Sequence, residues 1–544
     1  FTEGYGLNGA ALRQIAADGC GLLVTVDCGI SSVDIVAQMD GAMDIIITDH
    51  HLPGSILPPA YAVINPHRAD CPYPDKDLAG VGVAFKLVQA LWQIKEERLY
   101  ADDLDIAALG TVADLVPLVG ENRKIVQLGL ARMTECPCLG IAALIRVSGC
   151  EGKAINTGIV GFQLAPRLNA AGRIETARRG VELLSAEDVH EADHIAAELN
   201  ALNTERRDLE QDILTEAESM LGGFTPDVPA IVVAGEDWNA GVIGIVASRL
   251  VEKYYRPSIV LTRQGDVYKG SCRSIAGLHM YDALVACRDT LIQFGGHAMA
   301  AGLTLECNRV EDFRRAFANY VNTQLKFEDY TPKIPIEALV APADWTLPMV
   351  EEIALLEPYG MGNPRPIFGV RDLRPRTAAA IGVEGKHLRM EVGTRDKRVA
   401  ALYWNYGELA ELVTEEAGDL AYTPSINEWQ GMRSVQCMVD SIMPAVQERV
   451  FPDRTLLKTI YAFLKGCMDA DGSIPYGAVA LTQHFSRRMG HISHYTMDCA
   501  LCIFRELGML TQEEDGWRLI PPQGKLELMD APTFRRHAER KGDI

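Results

Sequence analysis

The sequence lacks the marks of a membrane-spanning or secreted protein. It has no run of about 18 uninterrupted apolar residues, and its N-terminus has no basic segment followed by an apolar one. Its 13 cysteines are scattered through apolar segments and form no compact disulfide framework. These absences predict a soluble, cytoplasmic protein with no membrane partner.

The sequence also has few candidates for a structural zinc site. Cys136 and Cys138 are separated by one residue, and Cys499 and Cys502 lie three apart in a helical pattern. Neither pair has a second pair or a histidine cluster near it, whereas structural zinc needs four ligands. We interpret both pairs as packed or partly buried thiols.

Positive charge is scarce, since the formal net charge is −21. Residues 446–544 hold 13 basic and 13 acidic side chains, so the acidic excess lies in residues 1–445. Affinity for phosphates usually comes from Lys and Arg, which weakens a nucleic-acid hypothesis. It does not exclude one, because a local basic groove can exist and bound divalent cations offset carboxylate repulsion.

What the sequence does contain is a concentration of polar side chains at the ends of predicted strands. The apolar runs 22–26 and 44–47 alternate with helical patterns, which predicts a parallel α/β sheet. Asp27 ends the first strand, and the triplet Asp49, His50 and His51 follows the second. Because ligands bind beyond the carboxyl ends of such strands, we expect these residues to share one edge.

Asp114 is the third candidate at this site. It follows a predicted helix over 106–112 and is flanked by apolar residues, a setting in which a carboxylate needs a partner. A lone aspartate there would be a helix cap or an ion-pair member, but Asp27 and His50 favour metal ligation. Oxygen and imidazole ligands without thiolate suit Mn²⁺ or Mg²⁺. Two such ions about 3.5 to 4 Å apart would serve phosphoester hydrolysis.

Several small-residue segments carry cations that could hold phosphates. Residues 163–173 place Arg167 and Arg173 in what the pattern predicts to be a loop. Residues 270–274 predict a turn that contains Ser271 and Arg273, and residues 295–302 place His297 after two glycines. Plain turns with solvated arginines are the alternative. Two such turns in one α/β unit favour a ligand cleft.

The rest of the chain predicts further modules. A helical pattern from about Ala186 to Leu221 is long enough to join two domains, and a second α/β unit begins near Pro229. Short strands over 335–445 predict a small antiparallel barrel, in which Trp404 lies either on a binding surface or in the core. Helices from about Thr455, followed by a two-stranded wing, predict a winged-helix-like module that binds either nucleic acid or protein.

Taken together, these motifs resemble the DHH/DHHA1 phosphoesterases, and within them the bacterial RecJ single-stranded-DNA exonucleases. The resemblance is carried by Asp27 in Val-Thr-Val-Asp-Cys-Gly, the Asp-His-His triplet, Asp114 and the Gly-Gly-His at 295–297. It covers residues 1 to about 445, and more weakly the last hundred. The fold class it implies is α/β, with two α/β domains joined by a long helix, plus an OB-like β-barrel and a C-terminal winged-helix-like module. The expected domains are DHH at 1–185, a connecting helix at 186–222, DHHA1 at 223–330, the OB-like domain at 331–445 and an accessory domain at 446–544.

The resemblance also implies roles for single residues. Asp27, His50 and Asp114 would be metal ligands, Asp49 would support the metal shell, and His51 would face the scissile phosphate. A second set would bind phosphate or DNA, with Tyr5 as an aromatic that stacks on a base: Tyr5, Arg167, Arg173, Ser271, Arg273 and His297. The implied activity is a Mn²⁺- or Mg²⁺-dependent 5′ to 3′ exonuclease that acts on single-stranded DNA in repair and recombination and releases mononucleotides. A helicase or a single-strand-binding protein is the implied protein partner.

The sequence departs from this family at one place. The family's first motif, an Asp-x-Asp that supplies further ligands, would precede residue 1, so we expect residues 1–544 alone to be inactive or nearly so. Two alternatives stay open. One is a DHH phosphodiesterase acting on short oligonucleotides or cyclic dinucleotides, although the extra modules argue against it. The other is a non-catalytic DNA-binding scaffold, although an intact Asp-His-His argues against that.

Overall fold

The computed structural model describes residues 6–174, 176–222, 228–513, 516–522, 524 and 526–541. The chain divides into two compact units. The first is drawn from Phe1–Gly222, Ala230–Tyr330 and Leu356–Arg365, and the second from Gly223–Pro229, Thr331–Leu355 and Pro366–Ile544. Tyr5, the predicted stacking residue, lies outside the described residues.

The first unit opens with the predicted parallel sheet. Strands β1, β2 and β3 pair in that order, and Val26 is opposite Thr48, so both strands end at the same edge. Asn8 caps the first helix by accepting hydrogen bonds from Ala10 N and Ala11 N. The elements are α1 (Gly9–Ala17), β1 (Leu22–Val26), α2 (Val33–Ala37), β2 (Asp44–Thr48) and β3 (Ala62–Ile64).

Helices complete this part of the unit and supply most of its core. Their buried face includes Ala108, Val126 and Leu144, each of which is fully buried. The helices are α3 (Gly80–Glu96), α4 (Leu104–Ala113), α5 (Gly120–Glu135), α6 (Leu139–Val147), α7 (Thr157–Ile159), a π-helix (Val160–Leu164), α8 (Ala165–Ile174) and α9 (Arg178–Leu184).

The predicted loop at residues 163–173 is wrong, because this segment continues the π-helix into α8. Pro166 is the second residue of α8, directly after the π-helix, and it has no N–H to donate to the preceding turn. The alanines that suggested a flexible loop are strong helix formers instead. Arg167 and Arg173 therefore project from a rigid element.

The predicted long helix is present as α10 (Val189–Met220). Asp188 caps it by accepting from His190 N and Glu191 N, and Glu191 adds a favourable charge to the first turn. Toward its other end Glu216 accepts a 2.7 Å hydrogen bond from the Trp238 indole. The helix thus joins the first α/β part to the second.

The second α/β part of this unit is a five-stranded sheet in the order β4-β5-β6-β8-β7. Strands β4 and β5 are parallel, and the remaining pairs are antiparallel. Its elements are β4 (Ile231–Gly235), α11 (Ile243–Tyr254), β5 (Ser258–Gln264), β6 (Val267–Arg273), α12 (Met280–Ala286), β7 (Gln293–Gly296), β8 (Ala300–Glu306) and α13 (Val310–Gln324).

The predicted turn at residues 270–274 is also wrong, because Gly270 to Arg273 belong to strand β6. Glycine is tolerated within this strand because the neighbouring strand packs closely over it: a Cβ at position 270 would lie 2.5 Å from Leu261 Cδ2. The 295–302 segment is the end of β7, a hairpin turn and the start of β8. His297 lies in that turn and is exposed.

The segment Leu356–Arg365 belongs to the first unit, although the predicted OB-like domain contains it. Leu118 N donates a 2.7 Å hydrogen bond to Met361 O, and Thr157 Oγ1 donates a 2.8 Å bond to Tyr359 O. Gly360 packs closely against Leu118, since a Cβ at position 360 would lie 2.6 Å from Leu118 Cδ1. Packing against residues distant in sequence, not local composition, places this turn.

The second unit contains a seven-stranded, mostly antiparallel sheet in the order β11-β12-β13-β15-β14-β10-β9. Tyr422 is fully buried at its centre, and its hydroxyl donates to Val340 O. The elements are β9 (Ala338–Leu339), α14 (Leu347–Ala354), β10 (Phe368–Leu373), β11 (Thr377–Ile381), β12 (His387–Gly393), β13 (Arg398–Tyr403), α15 (Leu412–Glu415), β14 (Gly418–Trp429) and β15 (Met432–Pro444).

The rest of the second unit is helical with a small sheet in the order β16-β18-β17. This element order fits the winged-helix-like prediction, which stays a prediction. The elements are α16 (Arg454–Gly466), β16 (Ser473–Ile474), α17 (Ala478–Met489), α18 (His494–Glu506), β17 (Leu510–Glu513), β18 (Gly516–Leu519) and α19 (Pro532–Lys541).

Among the described residues, no single helix is both long and apolar enough to cross a membrane. Helices α5 and α6 together meet the length and composition test, but they are bent by 73° at their junction. Both contribute buried side chains to the core of the first unit.

Candidate metal centre and phosphate site

Asp27, His50 and Asp114 come together although 87 positions separate the first from the last. His50 Nε2 lies 3.0 Å from Asp27 Oδ1 and 3.5 Å from Asp114 Oδ2. The parallel pairing of β1 with β2 brings the first two side chains to one sheet edge. Asp114 reaches them from the C-terminal end of α4.

Two backbone features place Asp27. Its φ of 61° turns the chain sharply at the end of β1. Gly80, the first residue of α3, packs directly against its side chain, since a Cβ there would lie 2.5 Å from Asp27 Oδ1. A larger residue at position 80 would push the carboxylate out of place, a requirement that strand and helix patterns do not reveal.

Asp49 is buried below the site, with only 1% of its surface exposed. Its carboxylate accepts hydrogen bonds from Ile30 N at 2.9 Å, His50 N at 2.8 Å and His51 N at 3.1 Å. Burial disfavours its charge, but these bonds and the one from His51 lower the pKa of Asp49. Asp49 therefore fixes both the loop after β1 and the two histidines, and it is a positioning residue.

His51 is oriented by the same carboxylate, since its Nδ1 lies 2.7 Å from Asp49 Oδ1. Its backbone oxygen accepts a 2.8 Å hydrogen bond from the side-chain amide of Asn65, a buried residue just after β3. The sequence did not single out Asn65, although it directly follows the third parallel strand, at the edge where ligands bind.

The donor set fits a divalent cation. Ligands about 2.1 Å from an octahedral ion lie roughly 3 to 4 Å apart, which matches the 3.0 and 3.5 Å separations here. Three potential ligand atoms also lie within 4.8 Å of one another, one from each of Asp27, His50 and His51. Burial and the charges of Asp49 and Asp27 raise the pKa of the nearby Cys28 thiol, which keeps it neutral. Carboxylate and imidazole donors without thiolate suit Mn²⁺ or Mg²⁺.

The charges at the centre are coupled. A hydrogen bond with Asp27 raises the pKa of His50 against the effect of burial, and Asp114 adds to the rise. Burial raises the pKa of Asp114. A cation here would replace the proton that the acidic neighbours favour on His50.

Arg173, Ser271 and Arg273 meet at the N-terminal turn of α11. Arg273 Nη1 donates to Ser271 Oγ at 3.1 Å, and Arg173 Nη1 donates to Gly241 O at 2.8 Å. Gly244 permits this approach, because a Cβ there would lie 3.0 Å from Ser271 Oγ and 3.1 Å from an Arg273 nitrogen. Cations and a helix N-terminus at one place are suited to an anion such as phosphate.

The other two predicted phosphate ligands lie differently. His297 is in the β7–β8 turn at the same end of the sheet as Arg273, which pairs with Ala300. Arg167 donates to Asn200 Oδ1 and to Gln163 O, whereas Arg173 donates to Gly241 O. The two arginines therefore lie on different faces of α8. The structure therefore gathers Arg173, Ser271 and Arg273 and assigns Arg167 to separate surroundings.

These features are those of an α/β phosphoesterase, with a donor set suited to a divalent cation and, apart from it, a cationic cluster suited to an anion. Family comparisons agree: residues 7–111 match the DHH family N-terminal domain, residues 227–323 the DHHA1 domain, and residues 336–441 the RecJ OB domain. The chain belongs to the RecJ family of single-stranded-DNA-specific exonucleases.

Individual relatives support this membership. RecJ of Dickeya dadantii is 39% identical over 478 residues, which is 82% of this chain and 81% of that protein. RecJ of Bacillus subtilis is 42% identical over 443 residues, 81% of this chain, but the match spans only 56% of that longer protein. The crystal structure of RecJ from Thermus thermophilus in complex with Mn²⁺ has a TM-score of 0.71 and 30% identity, and covers 85% of this chain and 68% of that one.

Proposed function

We propose that the protein is a divalent-metal-dependent exonuclease that hydrolyses single-stranded DNA from its 5′ end to mononucleotides. The observation that carries this proposal is the convergence of Asp27, His50 and Asp114 at one sheet edge. RecJ proteins of known structure bind Mn²⁺ or Mg²⁺, and the donor set here is chemically suited to either ion.

Each part of the site has a chemical task in this proposal. Asp27, His50 and Asp114 would hold the cation, which when bound lowers the pKa of water and neutralises charge at phosphorus. Asp49 keeps both histidines in place. His51, oriented through Nδ1, presents its ring to the scissile phosphate, and Arg173, Ser271 and Arg273 bind the 5′ phosphate.

The preference for long single strands draws support from the second unit. Trp404 is 48% exposed and packs edge-on against His387, so it lies at the surface of the sheet. Tyr406 stacks on Tyr403 at 3.9 Å and is 41% exposed. Exposed aromatic rings can stack on successive bases irrespective of sequence. A phosphodiesterase of very short substrates has no need of this surface.

The test measures Mn²⁺ binding first, because calorimetric titration needs no turnover, and then mononucleotide release from a 5′-labelled single strand. Replacing His50 with alanine removes one proposed ligand, so His50→Ala is expected to lower Mn²⁺ affinity at least 10- to 100-fold and to abolish whatever hydrolysis residues 1–544 retain. His190→Ala, an exposed histidine in the first turn of α10, is the matched control.

The outcomes separate the alternatives. Equal Mn²⁺ binding by wild type and His50→Ala would favour a non-catalytic DNA-binding scaffold. Hydrolysis confined to strands of a few nucleotides would favour a phosphodiesterase of short oligonucleotides or cyclic dinucleotides.

We further propose a role in DNA repair and recombination in the cytoplasm, together with a helicase or single-strand-binding protein. Co-purification with such a protein on gapped DNA tests that part.

A further inference from the structure

A large polar cavity lies beside α8, α10 and α11 in the first unit. Its volume is about 780 Å³, and four guanidinium groups line it, from Arg167, Arg206, Arg207 and Arg249. Glu210 is the one carboxylate among the described residues of the lining. An excess of cations in a confined space is the arrangement expected for an anionic ligand.

Arg206 is the most deeply buried of these four arginines, with only 9% of its surface exposed. Its Nη1 donates a 2.8 Å hydrogen bond to Glu210, yet its buried Nε has no hydrogen-bond partner among the described residues. A buried donor without a partner costs about 1 to 3 kcal/mol. A ligand with acceptor oxygens would remove that cost.

The charges in the cavity are not balanced by the protein. Glu210 accepts hydrogen bonds from Arg206 and, at 2.9 Å, from Arg249, and Arg249 also donates to Glu252, so two carboxylates face four guanidinium groups. Among the described residues, the hydrogen-bond acceptors of Arg167 are neutral, namely the Asn200 side chain and Gln163 O. Arg207 is exposed and forms no ion pair with any described residue. Burial and the neighbouring Arg207 lower the pKa of Arg167, as expected for cations held close together.

The cavity adjoins the phosphate site through α11. Ser248 accepts a 3.1 Å hydrogen bond from Arg273 Nε, while the next residue, Arg249, reaches Glu210 on the cavity wall. Arg173 lies close enough to both Arg206 and Arg273 for their charges, after burial, to lower its pKa. Cationic groups therefore continue from Arg273 into the cavity.

Phe162 adds an aromatic surface to the same lining. It lies in the π-helix before α8 and is 84% exposed, although a phenylalanine side chain is normally buried. An exposed ring beside several arginines is the combination that binds a base together with its phosphate.

We propose that this cavity is a second nucleotide-binding subsite, which holds a phosphate on Arg167, Arg206 and Arg207 and stacks a base on Phe162. This inference rests on the proposed function, because it assigns the subsite to the same nucleic-acid substrate. The phosphate can belong to the backbone of the single strand or to a released mononucleotide.

The test measures binding of fluorescently labelled oligothymidylate in EDTA, by anisotropy, so that no hydrolysis occurs. Arg207→Gln is expected to reduce the dependence of log affinity on log salt by about 0.7, the value for one lost phosphate contact on a single strand. Phe162→Ala is expected to weaken binding about 5- to 100-fold, and to have no effect on an abasic strand. Both side chains are exposed, so neither substitution should disturb folding. Arg288→Gln, a second exposed arginine of this unit, is the control.

Competition by thymidine monophosphate distinguishes the two sources of phosphate. If the variants bind only the oligonucleotide more weakly than wild type does, the subsite holds a backbone phosphate of the strand. If thymidine monophosphate also competes less well in the variants, the subsite holds the released mononucleotide. Either result supports the subsite. Unchanged affinity and salt dependence in both variants would overturn it, as would a wild-type protein that binds neither probe. Because hydrolysis is not measured, reduced binding by Arg207→Gln would support the subsite even if the proposed exonuclease activity failed.

Discussion

At the scale of single residues, Asp27 depends on a neighbour that has no side chain. The carboxylate reaches His50 because β1 ends in a left-handed residue and because Gly80 leaves room for it. Asp49 provides the complementary support by accepting the N–H groups of Ile30, His50 and His51. The proposed metal centre is thus positioned by residues that are not among its proposed ligands.

Gly80→Ala tests this positioning. The added Cβ would overlap the Asp27 side chain, so Mn²⁺ affinity should fall about 10- to 100-fold, as for loss of a supporting residue around a metal. Calorimetric titration measures the affinity, and circular dichroism checks that the fold is kept. Gly161→Ala is the control, because its nearest neighbour would be 4.0 Å away. Equal Mn²⁺ affinities in the two variants would refute the role of Gly80.

At the scale of elements, α18 begins at a buried carboxylate. Ser493 caps the helix through Thr496 N, and Glu416 accepts a 2.8 Å hydrogen bond from His494 N. Burial raises the pKa of Glu416 to about 7, against the effect of that hydrogen bond, and the charge of Glu448 adds to the rise while that of His491 opposes it. The junction between this helix and the barrel sheet is therefore sensitive to protonation.

Glu416→Gln should change the pH dependence of stability. The folded-state pKa lies above the ordinary value of 4.5, so folding takes up a proton, and this contribution is lost as the pH rises from about 4.5 to about 7. The amide keeps an acceptor for His494 N without a charge. The variant should be more stable than wild type by up to about 3 kcal/mol at about pH 8, with little difference near pH 5.

Urea unfolding of the two proteins at both pH values measures this difference. The exposed Glu411→Gln serves as the control and should follow the wild-type profile. A Glu416→Gln variant whose stability advantage is the same at both pH values would contradict the assigned titration.

At the scale of the whole molecule, the chain builds two units, and the core clusters among the described residues each belong to one unit or the other. The first unit buries Leu144 in the cluster around α4 to α10, and the second buries Leu464 in the cluster of α16 to α18. Separate cores allow separate unfolding, in contrast with a small single domain. The overall charge of −21 likewise conceals a local concentration of arginines in the first unit.

Calorimetric unfolding should accordingly resolve two transitions. Leu144→Ala should lower the midpoint of one and Leu464→Ala that of the other, because deleting a fully buried leucine costs about 2 to 5 kcal/mol within its own core. If both substitutions shifted one common transition, the two units would unfold as a single cooperative body.

The sequence by itself determined the residues of the proposed metal centre and the order of the modules. Asp27 and the Asp-His-His triplet could be placed together because parallel strands bring their carboxyl ends to one edge, a rule that needs only strand periodicity. The long helix and the strands of the barrel sheet could also be predicted from the sequence, since each follows from a local pattern of residues.

Only the tertiary structure decided which cations act together. Ser271 and Arg273 lie on a strand and Arg173 on a helix, and the approach of α11 through Gly241 and Gly244 sets their partners, whereas Arg167 bonds to Asn200 and Gln163. The cavity of Arg206, the exposure of Trp404 and the docking of Leu356–Arg365 likewise depend on contacts between residues far apart in the chain. Such contacts follow from the complementary shapes of packed elements, which local sequence patterns do not encode.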